Sequence, residues 1–585
     1  MSGIGLVASI AKDALSAQRY GMDVTAHNIA NVNTEGYSRQ NPVYEAREPA
    51  AQGGLLLGRG VTTSQVIRMS DQFIENQLMQ QKSDLSYNQE MESYMQVMEG
   101  FFNENGETGM STMLSDFWNL WQDISNNPSG APERSSLYEY SALLSSRFNG
   151  LDADMKELET DLTNSISVGI DSINQITEKI AQLNNQIVSL EVSGTANDLR
   201  DERNTLLSEL SEYIEIKTFE QTNGSLTVIT ARGCALVDGN SSYDLDLGGS
   251  SGARLVWQGS GGATIDITDY VTKGTIGGAL DMRDEILAKY ILDLNAVTKE
   301  LIWVTNQQHS QGIGLSTFTT VTGKYGASSQ TDAVGTSSSG LNFYDRIEDG
   351  SFKIWLYDGN GDVVVSGGTT IPIDADVISL EDIATSINAI HANLTATITD
   401  GKLTMTGING YSFGFSDDNS NILAALGINT FFSGTGAINI QINSDIRADK
   451  NRIAAARIAS DGTFTQGNNS NALAISDLQY TAMDISQWTV NRIDGNTEGT
   501  VTSTIEDYYH SLVSSIGIIS QSVSRAQDFN ETMVNQLSQI RDGISAVSLD
   551  EEMTNLLKFQ HAYAAAAKLI SIADEMFTTL LEIKR

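Results

Sequence analysis

The chain has 585 residues, a net charge of −38 at pH 7, 40% hydrophobic residues, five prolines and one cysteine. That length is too great for one core and predicts three or four domains. The acidity argues against a nucleic-acid partner, which needs a basic surface, and the lone Cys234, between Gly233 and Ala235, allows neither a disulfide framework nor a thiolate metal cluster and reads as a packing residue.

From Ser2 to Val32 the spacing predicts a helix, with Ile4, Val7, Ala8, Ala11, Leu15, Met22 and Ile29 mostly three, four or seven apart. Small residues (Ala11, Ala14, Ala17) would let a second backbone approach closely. Asn28 to Tyr37 reads as a turn, and Ser38 to Val66 as extended chain carrying Pro42, Pro49 and the Gly53-Gly54 pair. Helices follow over Met69–Phe102, Ser111–Ser125, Glu133–Leu190 and Asp198–Tyr213, with Phe117, Trp118 and Trp121 as expected bundle core.

Between Thr218 and Lys273 alternating apolar and polar residues with glycine-rich turns predict a small β unit. Ile276–His309 is helical again. Gly312 to about Asp461 is a second, β-rich insertion. Its best hairpin, Leu394–Thr406, turns at Asp400-Gly401, and its helix starts at Ser379 with Asp382 closing a capping box. The insertion's ends are expected to lie close together. From Asn471 onward the chain reads as almost wholly helical, broken around Arg492–Thr500.

Leu549 to Arg585 contains no glycine or proline and carries a heptad line of Leu549, Leu556, Tyr563, Ile570 and Phe577, with Met553, Ala567 and Leu581 on an offset line. Such a rod would be about 55 Å long. Residues 1–50 hold four basic and five acidic side chains, and 549–585 hold four and six, so nearly all of the negative charge lies between them. Near-neutral ends suit close packing, and an acidic middle suits water.

The predicted fold class is multidomain α plus β. Residues 1–68 and 546–585 form a terminal assembly domain of paired, coiled-coil-like helices with an N-terminal extended segment. Residues 69–218, 276–312 and 466–545 form a helical bundle, 219–275 a small β unit, and 313–465 an outer inserted domain of antiparallel β structure. Neither terminal seam has an assured partner in one chain. The ends are therefore expected to be unfolded or marginally helical before self-assembly.

The run Asn28-Ile29-Ala30-Asn31-Val32-Asn33-Thr34-Glu35-Gly36-Tyr37-Ser38-Arg39-Gln40 resembles the N-terminal motif of the flagellar axial proteins of bacteria, the rod, hook and hook-associated proteins. Glu35 stands where that motif commonly has proline. Glu551-Glu552-Met553, Leu556-Leu557, Gln560 and Tyr563 narrow the resemblance to the hook-associated members. Asp116–Trp121, Asn197–Arg203, Gly278–Asp284 and Gly467–Ala472 resemble interior helices of the same group. The resemblance implies a structural subunit that self-assembles into a ring or tube at the hook–filament junction. Its implied assembly residues are Leu15, Met22, Asn28, Ile29, Ala30, Asn31, Asn33, Thr34, Gly36 and Tyr37 at one end. At the other they are Leu549, Met553, Leu556, Tyr563, Ile570, Phe577 and Leu581. The implied partners are hook protein, the second junction protein and an export chaperone on the C-terminal helix. The alternatives are another axial protein or a surface adhesin using its β insertions.

Nothing in the sequence composes a catalytic, cofactor or metal site, so no enzyme is expected. The histidines (His27, His309, His391, His510, His561) form no i, i+4 pair. Asp358-Gly359-Asn360-Gly361-Asp362 opens like a calcium loop but has Val363 and Thr369 where that loop needs Gly and Glu, and reads as a hairpin turn. No run of about eighteen apolar residues is present, so no membrane insertion is expected. The N-terminus lacks the pattern of a cleaved secretory signal, which fits cytosolic residence or export by another route.

Overall fold

The computed structural model describes residues 3–583 apart from 53–54, 105, 107–108, 193 and 250–252. Ser2, the Gly53-Gly54 pair and the last two residues of the predicted C-terminal rod therefore lie outside the described residues. The helices are α1 (Gly3–Ala30), α2 (Gln72–Phe101), α3 (Met110–Asn126), α4 (Ala131–Leu190), α5 (Asn197–Tyr213), α6 (Gly274–Asp281), α7 (Ala288–Ser310), α8 (Leu380–Asn388), α9 (Ile422–Leu426), α10 (Ser444–Ala448), α11 (Ser470–Ser476), α12 (Ile505–Ser545) and α13 (Leu549–Ile583). A π-helical turn, Met282–Leu287, joins α6 to α7. The chain divides into two units, Met1–Tyr94 with Leu162–Met282 and Gln521–Arg585, and Met95–Asp161 with Arg283–Ser520.

In the first unit α4 supplies a heptad of isoleucines, Ile166, Ile173, Ile180 and Ile187, all fully buried. Burial of four such side chains contributes roughly 1.5–3 kcal/mol each. Two asparagines of the same helix seat the small β unit. Asn174 exchanges hydrogen bonds with the backbone of Leu245 at 2.9 and 2.8 Å. Asn184 donates to the carbonyls of Leu226 and Gly239 and accepts from Leu226 N–H and Arg203. The β unit is one sheet of four strands, Ile216–Glu220 through Ser241–Ser242, and one of three, Leu245–Gly248, Arg254–Gln258 and Thr264–Asp266, all antiparallel. Cys234 is half-buried there, and burial raises its thiol pKa.

In the second unit the predicted core aromatics are all buried. Phe117 and Trp121 of α3 pack against Phe431 and Phe432, with ring centroids 5.2 to 6.1 Å apart. The hairpin Leu394–Thr399 with Lys402–Gly407 turns at Asp400 and Gly401, both at positive φ as a two-residue turn of this kind requires. Ser379 and Asp382 form the capping box of α8. The Asp358–Asp362 loop is a turn closed by Asp358 N–H to Asp362 O at 2.9 Å and a bridge between Tyr357 and Val363. The insertion's ends do meet, since Ile313 and Ala456 exchange backbone hydrogen bonds of 2.8 and 3.1 Å. Phe431 and Phe432 nevertheless belong to the insertion by sequence, so excising 313–461 would strip the bundle of part of its own core.

One expectation is corrected. The return after Asn471 is not almost wholly helical: Met483–Asn491 and Gly495–Ser503 form a long antiparallel hairpin. Gly495 at φ +85° completes its loop. The Asp494-Gly495 pair and the apolar–polar–apolar run Trp488-Thr489-Val490 are the signal for it.

His309 is buried in the second unit with both ring nitrogens engaged. Nδ1 faces the Asn429 carbonyl at 2.7 Å and Nε2 accepts from Ala454 N–H at 2.9 Å. A proton on Nε2 would confront that N–H, and burial with nearby Arg134 pushes the pKa down to about 4. The folded state thus stays neutral where the unfolded chain becomes protonated. His309 contributes stability fully above about pH 6.5, and that contribution falls as pH drops toward 4, by on the order of 3 kcal/mol. Urea melts of wild type and His309→Gln should therefore converge as pH falls from 7 to 5. A constant difference between them would rule this out.

Candidate functional site: the clasp of the two termini

The helices α1 and α13 run antiparallel, with Asn28 beside Glu552 and Gly21 beside Phe559. The two pack against each other within one chain, as the paired terminal helices of the predicted fold class require. Small residues make the approach. Ala11, Ala17, Gly21 and Thr25 are buried on α1, and Ala566 and Ala573 on α13. A Cβ at Gly21 would lie 2.6 Å from the Tyr44 hydroxyl and 2.8 Å from the Phe559 ring. Packing this close is available only to glycine there.

The run after α1 winds through backbone bonds from Asn31 N–H to His27 O, Thr34 N–H to Asn31 O and Tyr37 N–H to Thr34 O. Gly36 sits at φ +76°, and a side chain would collide with Thr205 of α5. The turn forms with Glu35 in the position where proline is common.

Asn28, 1% exposed, uses its whole amide. Its Nδ2 donates to the Gln40 carbonyl at 2.9 Å and to Glu552 at 3.0 Å, and its Oδ1 accepts from the Tyr37 hydroxyl at 2.8 Å and Gln40 N–H at 3.0 Å. Arg39 then bridges to α13, donating from Nε to Glu552 at 2.9 Å and from Nη1 to Glu551 at 2.8 Å. The Arg39 N–H donates to the Ser545 carbonyl of α12 at 2.8 Å.

Helix α5 closes the clasp from a third direction. Asp201 accepts from Ser38 N–H at 2.9 Å and from Arg68 at 3.0 Å. Asp198 accepts from Gln40 at 2.6 Å and lies 3.3 Å from His27 Nε2. Burial, with Asp198, Asp201 and Glu552 around it, holds the Tyr37 phenol well above its ordinary pKa, so it stays protonated and donates. Burial likewise raises Asp201, against the pull of Ser38 and Arg68.

The sequence-chosen residues divide into two sets. Asn28 and Tyr37 are inside the clasp, with Asn31 and Thr34 bonded to each other at 3.1 Å in its turn. Leu15, Met22, Ile29, Leu556 and Ile570 are half-buried. Ala30, Asn33, Thr34 and Gly36 are exposed, as are Leu549, Met553, Tyr563, Phe577 and Leu581. The stripe that faces α1 is Glu552, Phe559, Ala566 and Ala573, three residues on from the predicted heptad line, so that line is left largely to solvent. Sequence reasoning did not single out Gly21, Arg39, Arg68, Asp198, Asp201 or Glu552 as functional residues. The acidic pair Asp198 and Asp201, one turn apart at the start of α5, was the available signal.

Among the described residues no group of three side chains is placed to hold a metal ion, and no helix is long and apolar enough to cross a membrane. The clasp is built for binding helices together.

A family profile described as the flagellar hook-associated protein FlgK helical domain matches residues 95–324. Two others, for the flagellar basal body rod FlgEFG protein C-terminal and the flagella basal body rod protein, match 543–583 and 9–37. The last two contain α13 and most of the N-terminal clasp. Flagellar hook-associated protein 1 of Bacillus subtilis is 27% identical over 98% of this chain and 96% of its own, and that of Escherichia coli is 26% identical over 98% and 99%. The solved flagellar hook junction protein FlgK from Burkholderia pseudomallei superimposes with a TM-score of 0.52 at 17% identity, covering 81% of this chain and all of that one. Over nearly its whole length the chain is thus similar to flagellar hook-associated protein 1, and it is an axial structural subunit of the bacterial flagellum.

Proposed function

We propose that this chain forms the junction between hook and filament, and that its copies join through the outward face of the α1–α13 pair. The observation that carries this is the set of large apolar side chains left open along α13: Leu549, Met553, Leu557, Leu569, Met576 and Phe577 remain exposed although Ala566 and Ala573 of the same helix are buried. A helix that packs on its partner through Ala566 and Ala573 and leaves large apolar side chains in the open is shaped for a second set of helices. Hook protein and the second junction protein are the neighbours such a junction would take. An export chaperone would cover the same face of α13 beforehand, and the chain would leave the cell without a cleaved signal. The 313–465 region takes no part in this contact in the proposed arrangement, and the protein works by assembly without catalysis.

Electron microscopy of cells lacking this chain should show hooks without filaments. The full chain should restore filaments, and a chain ending before Leu549 should not. Filaments of normal length on the deletion strain would refute the junction role.

A further inference from the structure

Within the second unit, four separate stretches of chain converge on an open cavity of about 430 Å³: Lys324 with Tyr325, Asn342, Lys402 at the start of the strand Lys402–Gly407, and the segment from Ser433 to Arg447. That volume is in the range of small-molecule sites. Its lining holds three cations, Lys324, Lys402 and Arg447, and no carboxylate, in a chain of net charge −38. Asp445 stands behind the wall and orients Lys324, whose Nζ donates to it at 2.8 Å and to Ser444 at 3.1 Å. Among the described residues neither the Lys402 ammonium nor the Asn342 amide has a partner in the protein.

The remaining lining is neutral and polar. Asn439 is fixed by accepting from Thr435 N–H at 2.7 Å, Gln441 lies 3.5 Å from Arg447, and the buried Tyr325 donates to the Gly434 carbonyl at 2.8 Å. A bare oxyanion would engage the cations and leave the Asn342 amide and the remaining acceptor capacity of Tyr325 and Asn439 unused. A nucleic acid would be repelled by the rest of the surface.

We propose that this pocket binds a saccharide bearing a carboxylate, of the uronic-acid type. The cations receive the carboxylate through charge-assisted hydrogen bonds, and the amides and hydroxyls meet the ring hydroxyls. This role is independent of the assembly face on α13 and would give the subunit a carbohydrate-binding activity besides its structural one.

The test is saturation-transfer NMR and titration calorimetry on the full chain with D-glucuronate, D-glucose and inorganic phosphate as probes. Glucuronate should bind, glucose should bind at least ~10-fold more weakly, and the double variant Lys402→Gln, Arg447→Gln should lose ~10-fold or more of glucuronate affinity. Both side chains reach solvent, so thermal melting should be unchanged. Should that variant melt early, Asn342→Ala, at an exposed position, should weaken glucuronate binding on its own. Glucuronate that fails to bind, glucose that binds as well, phosphate of equal affinity, or binding unaffected by the substitutions would each overturn the proposal.

Discussion

Asn28→Asp is expected to remove about 3–5 kcal/mol of stability from the terminal helix pair, because it replaces a donor with a charge in a buried site. One carboxylate oxygen could still accept from Tyr37 and Gln40 N–H. The other would face the Gln40 carbonyl and the Glu552 carboxylate, both acceptors, at the 2.9 and 3.0 Å where Asn28 now donates. Glu552 is 2% exposed, so water cannot separate the two charges. Asn28→Ala avoids the repulsion but strands three buried polar groups, at about 1–3 kcal/mol each. Hydrogen exchange should show α1 and the first turns of α13 losing protection in Asn28→Asp, while Ile166–Ile187 of α4 stays protected. Unchanged protection in α1 would mean that the amide network is not what holds the termini together.

Phe577→Asp should do the opposite: no change in the isolated chain and complete loss of assembly. Phe577 is 51% exposed and lies off the face that packs on α1. Its replacement should alter helix stability by no more than about 0.5 kcal/mol. In an assembled structure the same position would lose about 1.5–3 kcal/mol of apolar burial and add the desolvation of a charge. A repeating assembly meets that penalty at every subunit contact. Ala566→Asp is the control, since Ala566 is 5% exposed against the partner helix and should unfold the pair in the monomer. Cells carrying Phe577→Asp should fail to swim although the protein melts like wild type; normal swimming would remove α13 from the assembly surface.

Periodicity in the sequence revealed that both ends are helices with unsatisfied faces, because a heptad of Leu549, Leu556 and Tyr563 is a local pattern. It did not reveal which face turns inward. The inward stripe is Glu552, Phe559, Ala566 and Ala573, and a glutamate with two alanines has no apolar signature until Asn28 and Arg39 are known to meet it. The clasp is similarly hidden, since its bonds join residues up to 524 positions apart. The hairpin at Met483–Ser503 was lost for another reason: its second strand, Gly495–Thr502, is exposed throughout and carries no hydrophobic alternation. Turns with strong local chemistry, at Asp400-Gly401 and Ser379, were legible down to the residue.

A flagellum turns, and each of its subunits carries torque. In this protein the segment that follows α1 is tied both to α13 and to α5. The ties at Asn28, Arg39, Ser38 and Gln40 lie within thirteen residues. Pulling α1 along its axis loads those bonds side by side, in shear, so several must break at once before any one of them lets go. A hinge that opened one bond at a time would yield at much lower force. The turn between Asn28 and Gln40 would therefore act as a mechanical splice, passing twist from α1 and α13 into α5.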